Sequence, residues 1–286
     1  MKVGIGVPAS NGMPGDMIID WAMKADAGPF SSLAAIDRLI YGNYEPLIIL
    51  SAAAAVTKRI RLTTSILLAP LRNSGVLAKQ AASLDAISGG RLTLGVGVGG
   101  REDDYRAAPA SFRTRGKRLD QQLELMKRIW AGEPLGDGIG PIGPPPVQTG
   151  GPELLIGAYS PSALRRVGQW ADGFLGAVLP PDLMQGMFER VRGGWREAGR
   201  SGEPRLVVGM YYSLGPNSQE PGERYIRDFV GFGGDIAEQL VQSILSTPEA
   251  IKEAMQSYEG IGADELILWP TVAELDQIDR LADAIC

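Results

Sequence analysis

The stretch from Arg59 to Gly100 constrains the fold more than any other part of the chain. Ile60 to Ile66 is rich in β-branched residues and lies between polar residues, which is typical of a buried strand. Apolar residues then recur at helical spacing up to Ser88-Gly89-Gly90, where glycine favours a left-handed helix cap. Arg91 to Gly97 is a second apolar strand. A βαβ unit of this kind predicts parallel strands with both faces covered.

The ends of these two strands carry small residues. Thr63, Thr64 and Ser65 place hydroxyl groups at the end of the first strand, and glycine recurs at positions 95, 97, 99 and 100 at the end of the second. Glycine within a strand commonly marks a bulge, or a large group lying against the backbone. A tight barrel corner would have the same composition, and the glycines alone do not separate these interpretations.

The same alternation of strands and helices continues along the chain. Eight strand–helix units in 286 residues favour a closed (β/α)8 TIM barrel over an open sheet, because such a barrel takes roughly 250 residues. No composition break divides the sequence, so one domain over residues 1–286 is expected. The remaining strands are predicted at Lys2–Pro8, Phe30–Ile36, Glu153–Ala158, Asp172–Val178, Leu206–Ser213 and Asp264–Trp269.

The connecting segments have predictions of their own. Arg101 to Thr114 is charged and is expected to be an irregular loop. Gly132 to Pro152 is interpreted as a glycine- and proline-rich surface excursion of the barrel, in preference to an interdomain linker. Gly215 to Ser246 is expected to be an excursion followed by a helix. Thr271 and Glu274 have capping-box spacing, which predicts the start of the last helix.

The composition removes several classes of function. The chain has no histidine, which excludes Ser-His-Asp catalysis and the commonest metal ligand. Its single cysteine is Cys286, so neither a disulfide framework nor a thiolate metal site is expected. A net charge of −5 argues against a general nucleic-acid binder. No apolar run has the roughly 20 residues of a membrane span, and the start lacks signal-peptide features, so a cytoplasmic location is expected.

In such a barrel the functional residues lie on the loops after the strands. Ala158, Tyr159 and Ser160 lead from a strand into a helix, whose free N–H groups and dipole favour an anion such as a phosphate. The alternative is that Ser160 is simply an N-cap. Arginines on the same rim also indicate an anionic ligand, although each one alone is typical of a solvated surface. They are Arg38, Arg72, Arg101 and Arg106.

The sequence offers no catalytic set made of side chains alone. It has no Walker motif and no Gly-x-Gly-x-x-Gly that opens a helix. Glu102-Asp103-Asp104 is a weak candidate for a metal site, and no carboxylate pair has assignable acid and base roles. The catalytic chemistry is therefore expected to depend on a cofactor. Its flat ring would lie over small residues at Thr64–Ile66 and Gly97–Gly99, with its phosphate at Ser160.

Three segments carry a family resemblance. The longest is IRLTTSILLAPLRNSGVLAKQAASLDAISGGRLTLGVGVGGREDDY, and the others are EPLIILSAAAAVTKRIRL and LLIGAYSPSALRRVGQWADGF. Together they resemble the signatures of the bacterial luciferase-like monooxygenase family, over most of residues 1–177 and weakly to the last strand. The resemblance implies a TIM barrel that binds a flavin or deazaflavin at the carboxyl ends of its strands.

The short length most resembles the branch of that family that uses coenzyme F420, a deazaflavin. The resemblance implies a ring lying on a bulge with a non-proline cis peptide at Ser65-Ile66, and a phosphate-binding turn at residues 158–160. The cofactor-binding residues are then expected to be Thr64, Ser65, Ile66, Gly97, Val98, Gly99, Ala158, Tyr159 and Ser160.

The chain also departs from the family pattern after the second strand. Asp37 matches an acidic position, but Arg38 stands where histidine is frequent in the family. Gly100 stands where some sugar-phosphate dehydrogenases of the branch have glutamate. These departures argue against a sugar-phosphate substrate and leave the proton donor open. The candidate catalytic residues are Asp37, Arg38 and Tyr41, and Tyr159 is a further candidate donor.

Three functions stay open. The first is a deazaflavin-dependent oxidoreductase that moves a hydride to or from a C=C, C=N or C–O group of a small organic substrate. The second is a two-component monooxygenase that uses reduced FMN and oxygen, and that needs a separate flavin reductase and a dry pocket. The third is a barrel that binds a flavin or metabolite without turnover. A homodimer is expected from the resemblance, with neither nucleic acid nor a membrane as a partner.

Overall fold

The chain forms a closed barrel of eight parallel strands that pair in sequence order, with the last strand beside the first. This confirms the predicted (β/α)8 fold. The computed structural model describes residues 1–10, 12–231 and 234–286. The strands are β1 Lys2–Gly6, β2 Ser32–Ala35, β3 Arg61–Leu68, β4 Leu92–Gly97, β5 Glu153–Gly157, β6 Gly173–Gly176, β7 Arg205–Tyr212 and β8 Glu265–Pro270.

Helices cover the outside of the barrel. The helix Ser74–Ser88 ends as predicted, because Gly89 adopts a left-handed conformation with φ of 68°. None of the helices in the described part of the chain is long and apolar enough to cross a membrane. The helices are α1 Gly15–Ala27, α2 Pro46–Val56, α3 Ser74–Ser88, α4 Glu102–Ala107, α5 Arg115–Trp130, α6 Pro161–Trp170, α7 Pro181–Glu197, α8 Gln219–Val230, α9 Asp235–Gln242, α10 Pro248–Gly260 and α11 Asp276–Ile285.

Three predictions about connecting segments were wrong. The charged loop after β4 contains the short helix α4, which has acidic residues in its first turn, where they complement the helix dipole. The described residues between β7 and α10 form two helices, α8 and α9, where one was expected. The capping box does not form, because Thr271 donates its hydroxyl to the Tyr212 carbonyl, and α11 begins only at Asp276.

Side chains alternate along each strand between the barrel axis and the helices. On β7, for example, Val207 and Tyr211 face the axis, whereas Leu206, Val208 and Tyr212 pack in the core between the barrel and the helices. The barrel interior is therefore filled in layers, as is usual for this architecture.

The lowest layer is a charged network at the amino ends of the strands. Arg205 forms ion pairs with Glu153 and with Glu265, whose side chain is 1% exposed. Glu153 also accepts hydrogen bonds from Thr93 Oγ1 at 2.6 Å and from Arg61 at 3.2 Å. Burial alone raises the pKa of Glu153, but Arg205, Thr93 and Arg61 outweigh it and hold that pKa below its usual range.

The indole of Trp269 lies across the axis near the carboxyl ends of the strands. It occupies space that side chains at two glycines would need. A Cβ atom on Gly6 would lie 2.2 Å from Trp269 Cε3, and one on Gly209 would lie 3.1 Å from its Nε1. The two glycines thus allow a large aromatic ring to close the barrel beneath the carboxyl ends.

Candidate functional site

A cavity of about 540 Å³ opens at the carboxyl ends of the strands. Ends of the strands from β2 to β8 contribute to its wall, together with α4, the first residues of α5 and α6, and Phe229 of α8. Trp269 and Ile66 line it, as do Leu175 and Val178. A cleft of this size with a largely apolar wall and a few polar groups is typical of a small-molecule or cofactor site.

The glycines of β4 pack against a bulge in the neighbouring strand β3, which is one of the features that they were expected to mark. The pairing of β3 with β4 shifts register between Thr64 and Leu67, which is a β-bulge. A Cβ atom on Gly95 would lie 2.0 Å from the Thr64 carbonyl oxygen, and one on Gly97 would lie 2.6 Å from Ile66 Cδ1. The glycines therefore make room for the bulged strand β3, and the side chain of Ile66 lies over them.

Most of the predicted cofactor-binding residues line this cavity. They are Ser65, Ile66, Gly97, Val98, Gly99, Ala158, Tyr159 and Ser160. The Ser65-Ile66 peptide bond is cis, as the resemblance implied. Thr64 does not line the cavity, because it is fully buried and its hydroxyl donates a 2.7 Å hydrogen bond to the Gly95 carbonyl within the bulge.

The start of α6 reaches the cavity with unused donors. Ser160 is the N-cap, and its Oγ accepts a hydrogen bond from Ala163 N at 3.3 Å. Within the described part of the chain, no acceptor takes the backbone N–H groups of Tyr159 and Ser160. An anion here would meet two free donors and the positive end of the helix dipole. The capping and anion-binding interpretations of Ser160 are therefore compatible.

The Asp37 carboxylate lies at the cavity edge but is already bonded. Its Oδ2 accepts from Arg72 Nη1 at 2.6 Å and from the backbone N–H of Leu68 at 2.8 Å. Burial raises the pKa of Asp37 above its usual value, against the opposing effect of Arg72. Arg72 also binds Glu45 at 2.8 Å, so this arginine links two carboxylates in an ion-pair network. It is not among the residues that line the cavity.

Arg38 and Tyr41 connect the loop after β2 to helix α8. The Arg38 guanidinium lies 4.4 Å from the centre of the Tyr41 ring and 4.9 Å from that of Phe229, and it donates to the Phe229 carbonyl. Tyr41 donates a 2.6 Å hydrogen bond to Asp228. Arg38 and Phe229 line the cavity, whereas Tyr41 does not. Tyr41 therefore supports the wall from behind.

The segment after β4 supplies two of the charges in the cavity wall. Arg101 lines the cavity and pairs with Asp103, and Asp104 accepts hydrogen bonds from Leu39 N at 3.1 Å and Ile40 N at 2.8 Å. No group of three or more His, Cys, Asp or Glu residues is arranged to hold a metal ion in residues 1–10, 12–231 and 234–286. Within the acidic triplet, Asp104 is the residue that bonds to the backbone of the loop after β2.

The predicted arginine rim is partly correct. Arg38 and Arg101 line the cavity, Arg72 lies in its own ion-pair network, and Arg106 is exposed and outside the cavity wall. Arg115, at the start of α5, was missed and does line the cavity. Its guanidinium lies 3.7 Å from the centre of the Phe112 ring.

Two aromatic residues in the cavity wall, Tyr211 and Phe229, were also missed. Tyr211 belongs to a strand that was predicted correctly, but only the loop after that strand was considered as functional surface. The period of two along β7 contained the signal, because it turns Tyr211 toward the axis near the end of the strand. Phe229 had no comparable signal, since it depends on where α8 packs.

The sequence comparisons agree with this geometry. The family model described as luciferase-like monooxygenase matches residues 1–271. An uncharacterised protein of Mycobacterium tuberculosis is 33% identical over 275 residues, covering 78% of this chain and 95% of that protein.

Solved structures share the whole architecture. An F420-dependent secondary alcohol dehydrogenase in complex with an F420–acetone adduct matches with a TM-score of 0.81 and 16% identity, over 99% of this chain and 98% of that one. A riboflavin lyase with modified FMN and riboflavin matches with a TM-score of 0.78 and 16% identity, over 100% of this chain and 91% of that one. At such identities the likeness establishes the fold, and one fold hosts many activities.

Proposed function

The chain belongs to the luciferase-like monooxygenase family, and we propose that it is an oxidoreductase that uses the deazaflavin coenzyme F420 to move a hydride to or from a small organic substrate. The observation that carries this proposal is the cavity of about 540 Å³, which combines an apolar wall with free N–H groups at the start of α6. Family members are oxidoreductases and monooxygenases, and both F420- and FMN-containing proteins share the fold.

The residues present fit a tricyclic cofactor with an anionic side chain. Ile66 and Val98 offer apolar contact to a flat ring, and the turn of Tyr159 and Ser160 offers N–H groups to a phosphate. Arg101 and Arg115 add positive charge to the same cavity. Bound there, F420 would supply a hydride, and the protein would orient the substrate and exclude water.

Among the predicted catalytic residues, Arg38 lies best for contact with a substrate. It lines the cavity, and its positive charge is held there by two aromatic rings and a backbone carbonyl. Asp37 also reaches the cavity, but its bonds to Arg72 and Leu68 favour a role in holding the bulge. Tyr41 supports Arg38.

The second candidate is an FMN-dependent monooxygenase supplied by a separate flavin reductase. The family description and the FMN-containing neighbour favour it. The apolar wall would also suit a reaction with oxygen, because such a reaction needs water to be excluded.

A single domain over residues 1–286, a homodimeric assembly and a cytoplasmic location stay predictions.

Titration of the purified protein with F420 and with FMN separates the two candidates. We expect F420 to bind at least ten times more tightly, roughly 1.4 kcal/mol in free energy. We also expect the phosphate-free deazaflavin core and riboflavin to bind more weakly than their phosphorylated forms. FMN binding without F420 binding would select the monooxygenase, and binding of neither would leave a non-redox barrel.

A pair of variants tests the phosphate site. Ser160→Gly keeps the backbone N–H and costs a helix cap only a few tenths of a kcal/mol, but it removes the hydroxyl. We expect a loss of affinity for F420 of several-fold and none for its phosphate-free core. Thr247→Gly is the matched control, because Thr247 caps α10 by accepting from Ala250 N at 3.1 Å and does not line the cavity.

A further inference from the structure

The carboxylates of the cavity wall are poor candidates for passing a proton to a substrate. Asp37 is bonded to Arg72 and to the Leu68 N–H. Asp104 accepts two backbone N–H groups and lies 3.9 Å from the Arg101 guanidinium. Arginine does not lose its proton in proteins. The hydroxyl-bearing side chains are therefore the remaining donors in the wall.

Tyr211 is the hydroxyl group best placed for this role. Its ring faces the barrel axis among Val207, Ile267 and Trp269, its side chain lines the cavity, and the residue is 9% exposed. Among the described residues none accepts a hydrogen bond from its hydroxyl, so the proton is available to a ligand. Burial raises the pKa of Tyr211 above its usual value, so the phenol keeps its proton at neutral pH.

The other tyrosine of the cavity differs in its surroundings. Tyr159 is 63% exposed, and its backbone N–H belongs to the turn assigned above to the cofactor phosphate. A hydrogen bond from an exposed phenol competes with water, whereas one made inside a cavity does not.

Tyr211 and Arg38 are held by one aromatic cluster. The Tyr225 ring stacks on Phe229 with centres 5.5 Å apart, and it meets the edge of Tyr211 at 6.4 Å. The Arg38 guanidinium lies over the same Phe229 ring. The two polar groups therefore approach the cavity from a shared support, and Arg38 exerts a favourable electrostatic effect on a Tyr211 phenolate.

We propose that the substrate is a small ketone, and that the Tyr211 hydroxyl donates a hydrogen bond and then a proton to its oxygen beside the Arg38 guanidinium. This inference rests on the proposed function. The carbonyl carbon accepts a hydride from the reduced cofactor, which loses two electrons. The C–O π bond breaks, and its electron pair takes the phenolic proton, which gives a secondary alcohol. Water then returns a proton to the phenolate.

The same pair disfavours a C=C bond as the reacting group. An alkene has no lone pair for the Tyr211 hydroxyl, so this buried group would lose its hydration without gaining a partner. Sites that are built to hydrogen-bond a substrate oxygen discriminate strongly against compounds that lack it, because the buried donors are left unpaired.

Cyclohex-2-enone distinguishes these outcomes, because it carries both a C=O and a C=C bond. The wild-type protein, incubated with F420 in its reduced form, is expected to yield cyclohex-2-enol. In Tyr211→Phe the turnover number should fall by about 10²-fold or more, the usual contribution of a general acid. The dissociation constant for F420 should change less than about twofold, well under the tenfold that corresponds to 1.4 kcal/mol. Tyr212→Phe is the matched control, since the neighbouring hydroxyl bonds to the Gln277 carbonyl outside the cavity.

An infrared measurement gives a readout that does not need turnover. The C=O stretch of bound cyclohexanone should lie at lower wavenumber in the wild type and in Tyr212→Phe than in Tyr211→Phe, with oxidised F420 present or absent. Formation of cyclohexanone alone from the enone, undiminished turnover in Tyr211→Phe, or a band at the same wavenumber in the wild type and in Tyr211→Phe would each overturn the inference. F420 binding without ketone reduction would overturn it and leave the proposed function standing. Failure to bind either F420 or FMN would overturn the proposed function itself.

Discussion

Ile66 of β3 occupies the space that a side chain at Gly97 of β4 would need, since a Cβ atom on Gly97 would lie 2.6 Å from Ile66 Cδ1. Their contact ties the bulge in β3 to the glycine-rich end of β4. The glycines are therefore required by the neighbouring strand, and the cavity owes its shape to that fit between two strands.

Substitutions at these glycines should differ in cost. Gly95→Ala should lower the free energy of unfolding by about 3 kcal/mol, because its Cβ would meet the backbone of Thr64. Gly97→Ala should lower it by about 1 kcal/mol, since the end of Ile66 can move. Gly100→Ala, whose Cβ meets no atom within 4 Å, is the control and should change it by less than about 0.5 kcal/mol. Urea unfolding measures all three, and equal losses would contradict this account.

Removing the charge of Arg205 is expected to lower the free energy of unfolding more than removing any other charge. In Arg205→Ala the 1% exposed Glu265 would be left without its cation, and breaking a buried pair in this way costs about 3–5 kcal/mol. The exposed pair of Arg224 and Glu220 is the control, and Arg224→Ala should cost less than about 1 kcal/mol. Chemical unfolding of both variants checks the difference, and similar unfolding midpoints would show that the basal network is not stabilising.

The same network predicts how stability depends on pH. Because the folded protein lowers the pKa of Glu153, its contribution is fully present above the unfolded pKa of about 4.3 and is lost as the pH falls through the folded pKa. Glu153→Gln should be less stable than the wild type at pH 7 and should lose less stability on acidification. Thermal unfolding from pH 7 to pH 3 measures this, and parallel curves for the two proteins would refute it.

The Tyr41 hydroxyl should control the opening of α8. Tyr41→Phe removes the 2.6 Å hydrogen bond to Asp228, so amide exchange in residues 219–230 should become faster while overall stability changes by less than about 1.5 kcal/mol. Tyr44→Phe removes a hydroxyl bonded to the Met13 carbonyl and should leave exchange in α8 unchanged. Mass-spectrometric hydrogen exchange compares the two. Unaltered exchange in Tyr41→Phe would mean that Arg38 and the ring contacts hold α8 alone.

Local patterns in the sequence were enough to predict the barrel. Period-two apolar segments and the glycine cap at Gly89 depend on a few neighbouring residues, so they could be recognised without a structure. The failure of the predicted capping box could not be foreseen from the sequence, because Thr271 bonds instead to the Tyr212 carbonyl of β7. That partner is close in space and 59 positions distant in the chain.

The candidate site was predictable to the extent that it lies on strand ends. The turn at Ala158, Tyr159 and Ser160 and the bulge at Ser65 and Ile66 were predicted to contact a cofactor, and all of these residues line the cavity. Predictions about which side chains lie over the glycines of β4 were less successful. The glycines of β4 face the side chains of β3, and which side chain occupies a gap between strands depends on tertiary packing.

Closure of the barrel axis by Trp269 has a consequence for the order of events at the site. With the indole and the ion pairs beneath it blocking the far end, the cavity is a blind chamber, and molecules arrive and depart through its mouth. A cofactor and a substrate that stack one above the other in such a chamber must follow a compulsory sequence, in which the deeper molecule enters first and leaves last.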